Sequence, residues 1–191
     1  MVTATAPHAE HADHAWLKDH IRDIPDFPKE GVAFKDLTPL LAHPQAVSSA
    51  ARAIAGAFEA AGITKVVGIE ARGFIIAAPV AVMLGAGFVP VRKGGKLPWL
   101  TEAVSYDLEY GVDALEIHAD AIAAGDRVLV VDDVIATGGT ATAAVELVRR
   151  LAGTVAGLGF VVELGSLGGR DRLARDCRSP TGDVVALVAY E

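Results

Sequence analysis

Val128–Thr140 reads VLVVDDVIATGGT, an apolar run followed by two acids and a Gly-rich turn. The apolar run Val128-Leu129-Val130-Val131 suits a strand buried on both faces of a parallel sheet. It leads directly into Asp132-Asp133, a Gly-rich turn and a helix predicted from about Thr140 to Leu151. Ligands of open α/β sheets bind beyond the carboxyl ends of the strands, which is where the two acids emerge. Ala136, Thr137, Gly138, Gly139 and Thr140 then open the helix, so its unpaired backbone N–H groups and dipole form an anion pocket without a cationic side chain. The Thr137 and Thr140 hydroxyls can add donors. An acidic pair ahead of such a cradle suits a ligand with both hydroxyls and a phosphate, because carboxylates accept from sugar hydroxyls. An ordinary strand-to-helix turn capped by Asp133 or Thr137 accounts for the glycines and one acid, but not for two adjacent acids.

Outward from this segment, strands and helices alternate. Lys65–Ile69 reads as a strand ending in Glu70-Ala71-Arg72-Gly73, Gly87–Arg92 as another, then Thr154–Leu164 and Val184–Tyr190. Val47, Ala51, Ile54, Phe58 and Ala61 mark a helix begun at Pro44 and stopped by Gly62, and Arg170–Arg175 predicts a short one. Trp16, Leu17, His20, Ile21 and Ile24 follow a helical stripe that Pro25 and Pro28 end. Residues 104–119 alternate polar and apolar around a turn at Gly111–Asp113, a half-exposed hairpin inserted in the core. The pattern predicts an α/β fold, a Rossmann-like parallel sheet flanked by helices.

Composition bounds the function. The chain has 191 residues, 52% of them hydrophobic, enough for one packed domain. Lys+Arg 17 against Asp+Glu 24 gives a net charge of −7, which argues against nucleic-acid binding through a broad basic surface. The single cysteine, Cys177, cannot form an intrachain disulfide and fits a reducing, cytoplasmic setting. Residues 73–91 carry no charge and reach membrane-span length, but Gly73, Pro79, Gly85, Gly87 and Pro90 divide them into loop, buried helix, turn and strand, so no membrane is expected. The start lacks the basic and apolar regions of an export signal. Residues 1–15 read as a polar, Ala-rich tail; its His8, His11 and His14 lack the supporting groups a metal site needs. No P-loop is present, and Gly157-Leu158-Gly159 lacks the third glycine of a dinucleotide fingerprint.

VVDDVIATGGT resembles the phosphoribosyl pyrophosphate (PRPP) motif of type I phosphoribosyltransferases. Four further segments, DFPKEGVAFKDLTPLL (26–41), GIEARGF (68–74), VPVRKGGKLPW (89–99) and YDLEYGVDALEIHADAI (106–122), resemble the adenine phosphoribosyltransferase family in order and spacing. The resemblance covers residues 16–191. It implies one catalytic domain there, with a small hood at about 25–40 and a flexible catalytic loop at about 93–118. It also implies the reaction of adenine with PRPP to give AMP and pyrophosphate, a homodimer, and Mg2+ held mainly by ligand oxygens and water.

The resemblance assigns the ribose hydroxyls to Asp132 and Asp133, and the 5′-phosphate to Ala136, Thr137, Gly138, Gly139 and Thr140. The pyrophosphate falls to Ala71 and Arg72, often beside a cis peptide between Glu70 and Ala71, and to Arg92, Lys93 and Lys96, the last often reaching from a partner subunit. Glu109 matches a glutamate that acts as general acid or base at the purine; with Arg72 it forms the catalytic pair. Adenine falls to Ala33, Phe34 and Lys35, with Phe34 stacking on the ring. On the residues alone, Glu109 reads as a polar residue on the wet face of a hairpin and Phe34 as a core residue, while the 92–96 cluster is equally a solvated loop. Lys35 stands where the family usually has arginine, and a lysine lacks the planar fork. Trp99 and Leu100 also depart from many members.

Two rival readings remain. One is a transferase of the same fold for another purine base, against which Ala136 stands, since 6-oxopurine enzymes carry an aspartate there. The other is a PRPP-sensing regulator without turnover, which would need a basic helix-turn-helix. Residues 1–30 hold only Lys18, Arg22 and Lys29.

Overall fold

The computed structural model describes residues 14–107, 112–177 and 183–191; the His8 and His11 tail and Glu109 lie outside the described residues. A 3-10 turn, Ala15–His20, leads into an antiparallel ribbon of β1 (Arg22–Ile24) and β2 (Phe34–Asp36), then the helices α1 (Thr38–Ala42) and α2 (Pro44–Ala57). The alternating core follows: β3 (Lys65–Ile69), α3 (Arg72–Leu84), β4 (Gly87–Lys93), β5 (Thr101–Asp107), β6 (Val112–His118), β7 (Arg127–Ile135), α4 (Gly139–Arg150), β8 (Thr154–Leu164), α5 (Gly169–Asp176) and β9 (Asp183–Tyr190).

Seven strands form one sheet in the order β5-β6-β4-β3-β7-β8-β9, and the five from β4 to β9 are parallel. Successive side chains of a strand face opposite ways, so the apolar runs of β3 and β7 feed two cores at once. Val67, Val128 and Val130 pack with Ala144, Leu147 and Val148 of α4. Val66, Leu129 and Val131 pack with Ile54 of α2 and Ile76 and Val80 of α3. The result is three layers, with α2 and α3 on one face and α4 on the other. The expected α/β sheet is therefore present.

Three local expectations change. The stripe from Trp16 to Ile24 does not continue as a helix. Ile21 is already extended (φ −111°, ψ 122°), and Arg22–Ile24 pairs instead with Phe34–Asp36. The short α1 was not anticipated; Asp36 secures its start by accepting from the Thr38 N–H and hydroxyl, both at 2.9 Å. The hairpin is not a separate insertion: β6 pairs antiparallel with β4, Arg92 opposite Glu116, and so extends the sheet. The apolar stretch 73–91 becomes α3, a turn at Gly85 (φ 63°) and β4. Among the described residues no helix is long and apolar enough to cross a membrane. Cys177 is buried, and that burial pushes its thiol pKa up, which leaves little reactive thiolate.

Candidate active site

The sheet order creates the site. The crossover from β3 runs to β4 on one side and that from β7 to β8 on the other, so α3 and α4 leave neighbouring strands toward opposite faces. Such a switch point opens a crevice beyond the carboxyl ends of the strands. A cleft of about 960 Å³ lies there.

β7 delivers the acidic pair to its floor. Asp133 is the buried charged residue among those described, 5% exposed, and its Oδ2 lies 2.5 Å from Nε of Arg72 at the head of α3, an ion pair off hydrogen-bond alignment. Asp132 Oδ1 accepts from the Asp133 N–H at 2.8 Å. Asp132 keeps some contact with the cleft but sits deep in protein density. Burial, then the charge of Asp133, holds its carboxyl well above the usual range, against the pull of the Asp133 N–H and Arg72. The close approach of α3 to these acids depends on Gly73, where a Cβ would meet Asp132 Oδ1 at 2.6 Å and its Cα at 3.2 Å.

The α4 cradle forms as its sequence predicts. Gly138 takes the left-handed conformation (φ 78°), α4 starts at Gly139, and no side chain caps its first turn. The loop rests on the start of α5, with a Cβ on Gly138 falling 2.6 Å from the Gly169 carbonyl oxygen. Ala136 and Thr140 line the cleft, while Thr137 is exposed at the turn.

Opposite the cradle stand the cations. The Glu70–Ala71 peptide is cis, and Ala71 and Arg72 line the wall beside it. Lys93 Nζ reaches into the cleft and pairs with Asp113 Oδ2 at 3.0 Å. That pairing raises the lysine pKa and lowers the aspartate pKa. Arg92 and Lys96 are turned toward Glu70 of their own chain.

The ribbon roofs the cleft. Ala33, Phe34 and Lys35 line it; the Arg72 guanidinium lies 5.3 Å from the Phe34 ring centre, and Phe27 meets that ring edge-on at 5.2 Å. The Lys35 ammonium is engaged elsewhere, 2.5 Å from Asp23 Oδ1 and 3.9 Å from the centre of the Tyr190 ring, and so ties the ribbon to β9.

Asp132, Asp133, the cradle, Arg72, Lys93 and Phe34 thus meet around one cavity. Sequence reasoning passed over Glu70, Tyr106 and Asp113. Tyr106, whose pKa is raised by burial, reaches Thr140 of the cradle and lies 3.5 Å from Asp113. The available signal was a carboxylate on each strand facing the 92–96 cluster.

A cleft with these parts at this switch point belongs to a recognisable class. Residues 36–188 match the family model described as the phosphoribosyl transferase domain. The adenine phosphoribosyltransferase of Thermobifida fusca is 61% identical over 155 residues, 81% of this chain and 88% of that protein. The crystal structure of the Rhodothermus marinus enzyme superposes with a TM-score of 0.86 at 51% identity, covering 93% of this chain and 98% of that one. The Saccharomyces cerevisiae enzyme, solved with adenine and an imino-altritol bisphosphate, gives a TM-score of 0.83 at 40% identity, covering 92% and 98%. The chain belongs to the adenine phosphoribosyltransferase family.

Proposed function

We propose that this protein transfers the 5-phosphoribosyl group of PRPP to adenine, giving AMP and pyrophosphate, a purine-salvage reaction. One observation carries the reading. The acidic pair, the uncapped start of α4 and a cationic wall open on a single cleft beneath an aromatic roof. The relatives named above bear the name of this activity, and the yeast enzyme was solved with adenine.

In this reading the Gly138–Thr140 N–H groups hold the 5′-phosphate, and Asp132 and Asp133 accept from the ribose hydroxyls. Arg72, Arg92, Lys93 and Lys96 hold the pyrophosphate. The bond from the anomeric carbon to the pyrophosphate oxygen breaks as N9 of adenine bonds to that carbon, and positive charge develops on the ribose. The fixed carboxylates stabilise that charge without reorganising. Phe34 stacks on the base, with Ala33 and Lys35 beside it, and Glu109 takes the purine proton as the new bond forms. The hood (25–40) and the 93–118 loop exclude water from the anomeric carbon.

Magnesium fits this cleft as an ion carried by the substrate. The acids are hard oxygen donors, but Asp133 is engaged by Arg72, and among the described residues no three His, Cys, Asp or Glu side chains gather to cage a cation. Asp132 and Asp133 would stand beside such an ion, held mainly by ligand oxygens and water, and it would supply Lewis-acid charge neutralisation for the pyrophosphate. A homodimer is supported by Ile75, Val82 and Met83, exposed apolar residues on α3. A cytoplasmic setting is supported by the single, buried cysteine.

The decisive experiment is pyrophosphate release from PRPP with adenine, hypoxanthine, guanine or xanthine in Mg2+. Release with adenine is expected. Release with hypoxanthine but not adenine would overturn the base assignment, and tight PRPP binding without turnover would indicate a regulator.

A further inference from the structure

Glu70 gathers two of the cations that the proposed reaction gives to pyrophosphate, Arg92 and Lys96. Its Oε2 accepts from Arg92 Nε at 3.3 Å and from the Lys93 N–H at 3.1 Å, and its Oε1 accepts from Lys96 Nζ. The side chain is only 10% exposed, and its backbone is fixed where the Glu70 N–H donates to the Val91 carbonyl at 2.9 Å. Burial alone would raise its pKa, but Lys96, the Lys93 N–H and Arg92 outweigh burial and hold it low, so the carboxylate is charged at neutral pH.

A carboxylate serving only to support the loop needs the bond to the Lys93 backbone and no more. Here Arg92 and Lys96 add a cation to each oxygen, and Arg92 also donates to the Lys96 carbonyl at 3.0 Å, which closes the loop around the carboxylate. We propose that Glu70 is a built-in counter-anion: it occupies Arg92 and Lys96 when pyrophosphate is absent and competes with pyrophosphate for them. Glu70 thereby sets how tightly the diphosphate of PRPP is held and how readily pyrophosphate departs. This rests on the assignment of the 92–96 cations to pyrophosphate.

The physical basis is one of charge. Arg92 and Lys96, at the margin of the cleft beside Glu70, would if unpaired hold a multiply charged anion too firmly for turnover, since attraction strengthens as water is excluded. A single carboxylate offers them a weaker partner. Pyrophosphate, with more charge and more oxygens, displaces it, and the carboxylate recovers the cations as the product leaves. Glu70 is thus a positioning residue, acting through Arg92 and Lys96.

The test is calorimetric titration of pyrophosphate with Mg2+ into the wild type and Glu70→Gln, together with inhibition of turnover by pyrophosphate. The amide keeps the size and the backbone acceptor but loses the charge. E70Q should bind pyrophosphate about ten-fold more tightly, the scale of one charged hydrogen bond removed from competition, and show a lower KM for PRPP without a higher kcat. Equal or weaker binding would overturn the proposal and make Glu70 a loop support. Glu70→Asp keeps the charge but withdraws the carboxylate, so it should fall between the two; it carries the same test if thermal melting shows E70Q unfolded, and an affinity no tighter than wild type would then overturn the proposal. If Lys93→Met and Lys96→Met leave pyrophosphate affinity unchanged, the assignment of the cations fails instead.

Discussion

Arg72 Nε lies 2.5 Å from Asp133 Oδ2, so the first residue of α3 and the end of β7 are joined across the point where the sheet reverses its winding. The aspartate is almost wholly buried, and the arginine that neutralises it also lies over Phe34. One guanidinium therefore links the acids, the cation wall and the aromatic roof.

This linkage makes Arg72→Met a stability mutation as well as a functional one. The methionine leaves a buried carboxylate beside a second acid without its partner, which costs about 3 kcal/mol at pH 7. Urea unfolding at pH 7 measures this. A variant as stable as wild type at pH 7 would show that Asp133 is balanced by another group.

Asp132 should oppose folding at neutral pH. Its folded pKa stands well above the usual aspartate range because burial and Asp133 disfavour the charge. A raised folded pKa gives stability that is complete below the unfolded pKa and is lost as pH rises through the folded value. Asp132→Asn should therefore raise Tm at pH 7, with the gain fading toward about pH 4, while PRPP turnover falls sharply. Thermal melts of both proteins across pH check this; a Tm difference independent of pH would show that charge is not the cause.

How much of this was legible in the sequence depends on the distance over which each feature is determined. β7 and α4 could be read because the apolar run, the two acids and the glycines are contiguous, and each imposes its own local geometry. The run 73–91 was legible for the same reason, with Gly85 marking the end of α3. The ribbon was not: Trp16, Leu17, His20, Ile21 and Ile24 carry a helical period, yet only Leu17 of the 3-10 turn is buried, and Ile24 pairs with Phe34. Glu70 meets Lys96 from 26 residues away and Arg92 from 22, so only the pairing of β3 with β4 brings them together. Asp113 reaches Lys93 through the equally non-local pairing of β6 with β4.

Gly138→Ala tests the cradle. A side chain there must adopt φ 78°, and its Cβ would fall 2.6 Å from the Gly169 carbonyl oxygen, which belongs to backbone and cannot rotate aside. The loop must shift, at a cost of about 1–3 kcal/mol. The N–H groups then no longer converge, and KM for PRPP should rise at least about ten-fold, the equivalent of 1.4 kcal/mol. Circular dichroism should show the fold retained. An unchanged KM would mean that the 5′-phosphate binds elsewhere.

Glu109→Gln separates catalysis from binding in the hairpin. Glu109 is assigned to the purine proton through the family pattern of Leu108-Glu109-Tyr110-Gly111. The strands on either side, β5 and β6, carry Tyr106 and Asp113 into the cleft, and Tyr106 reaches Thr140, so this hairpin spans from the cradle to Lys93. A glutamine keeps the hydrogen-bonding shape but cannot take the proton released as adenine bonds to ribose. General acid–base catalysis typically contributes about 10²–10⁴-fold, so kcat should fall on that scale while PRPP affinity changes little. Steady-state kinetics with adenine and PRPP measures both quantities. Unchanged kcat would remove Glu109 from the chemistry, whereas a matched loss of kcat and PRPP affinity would assign it to closing the site rather than to moving a proton.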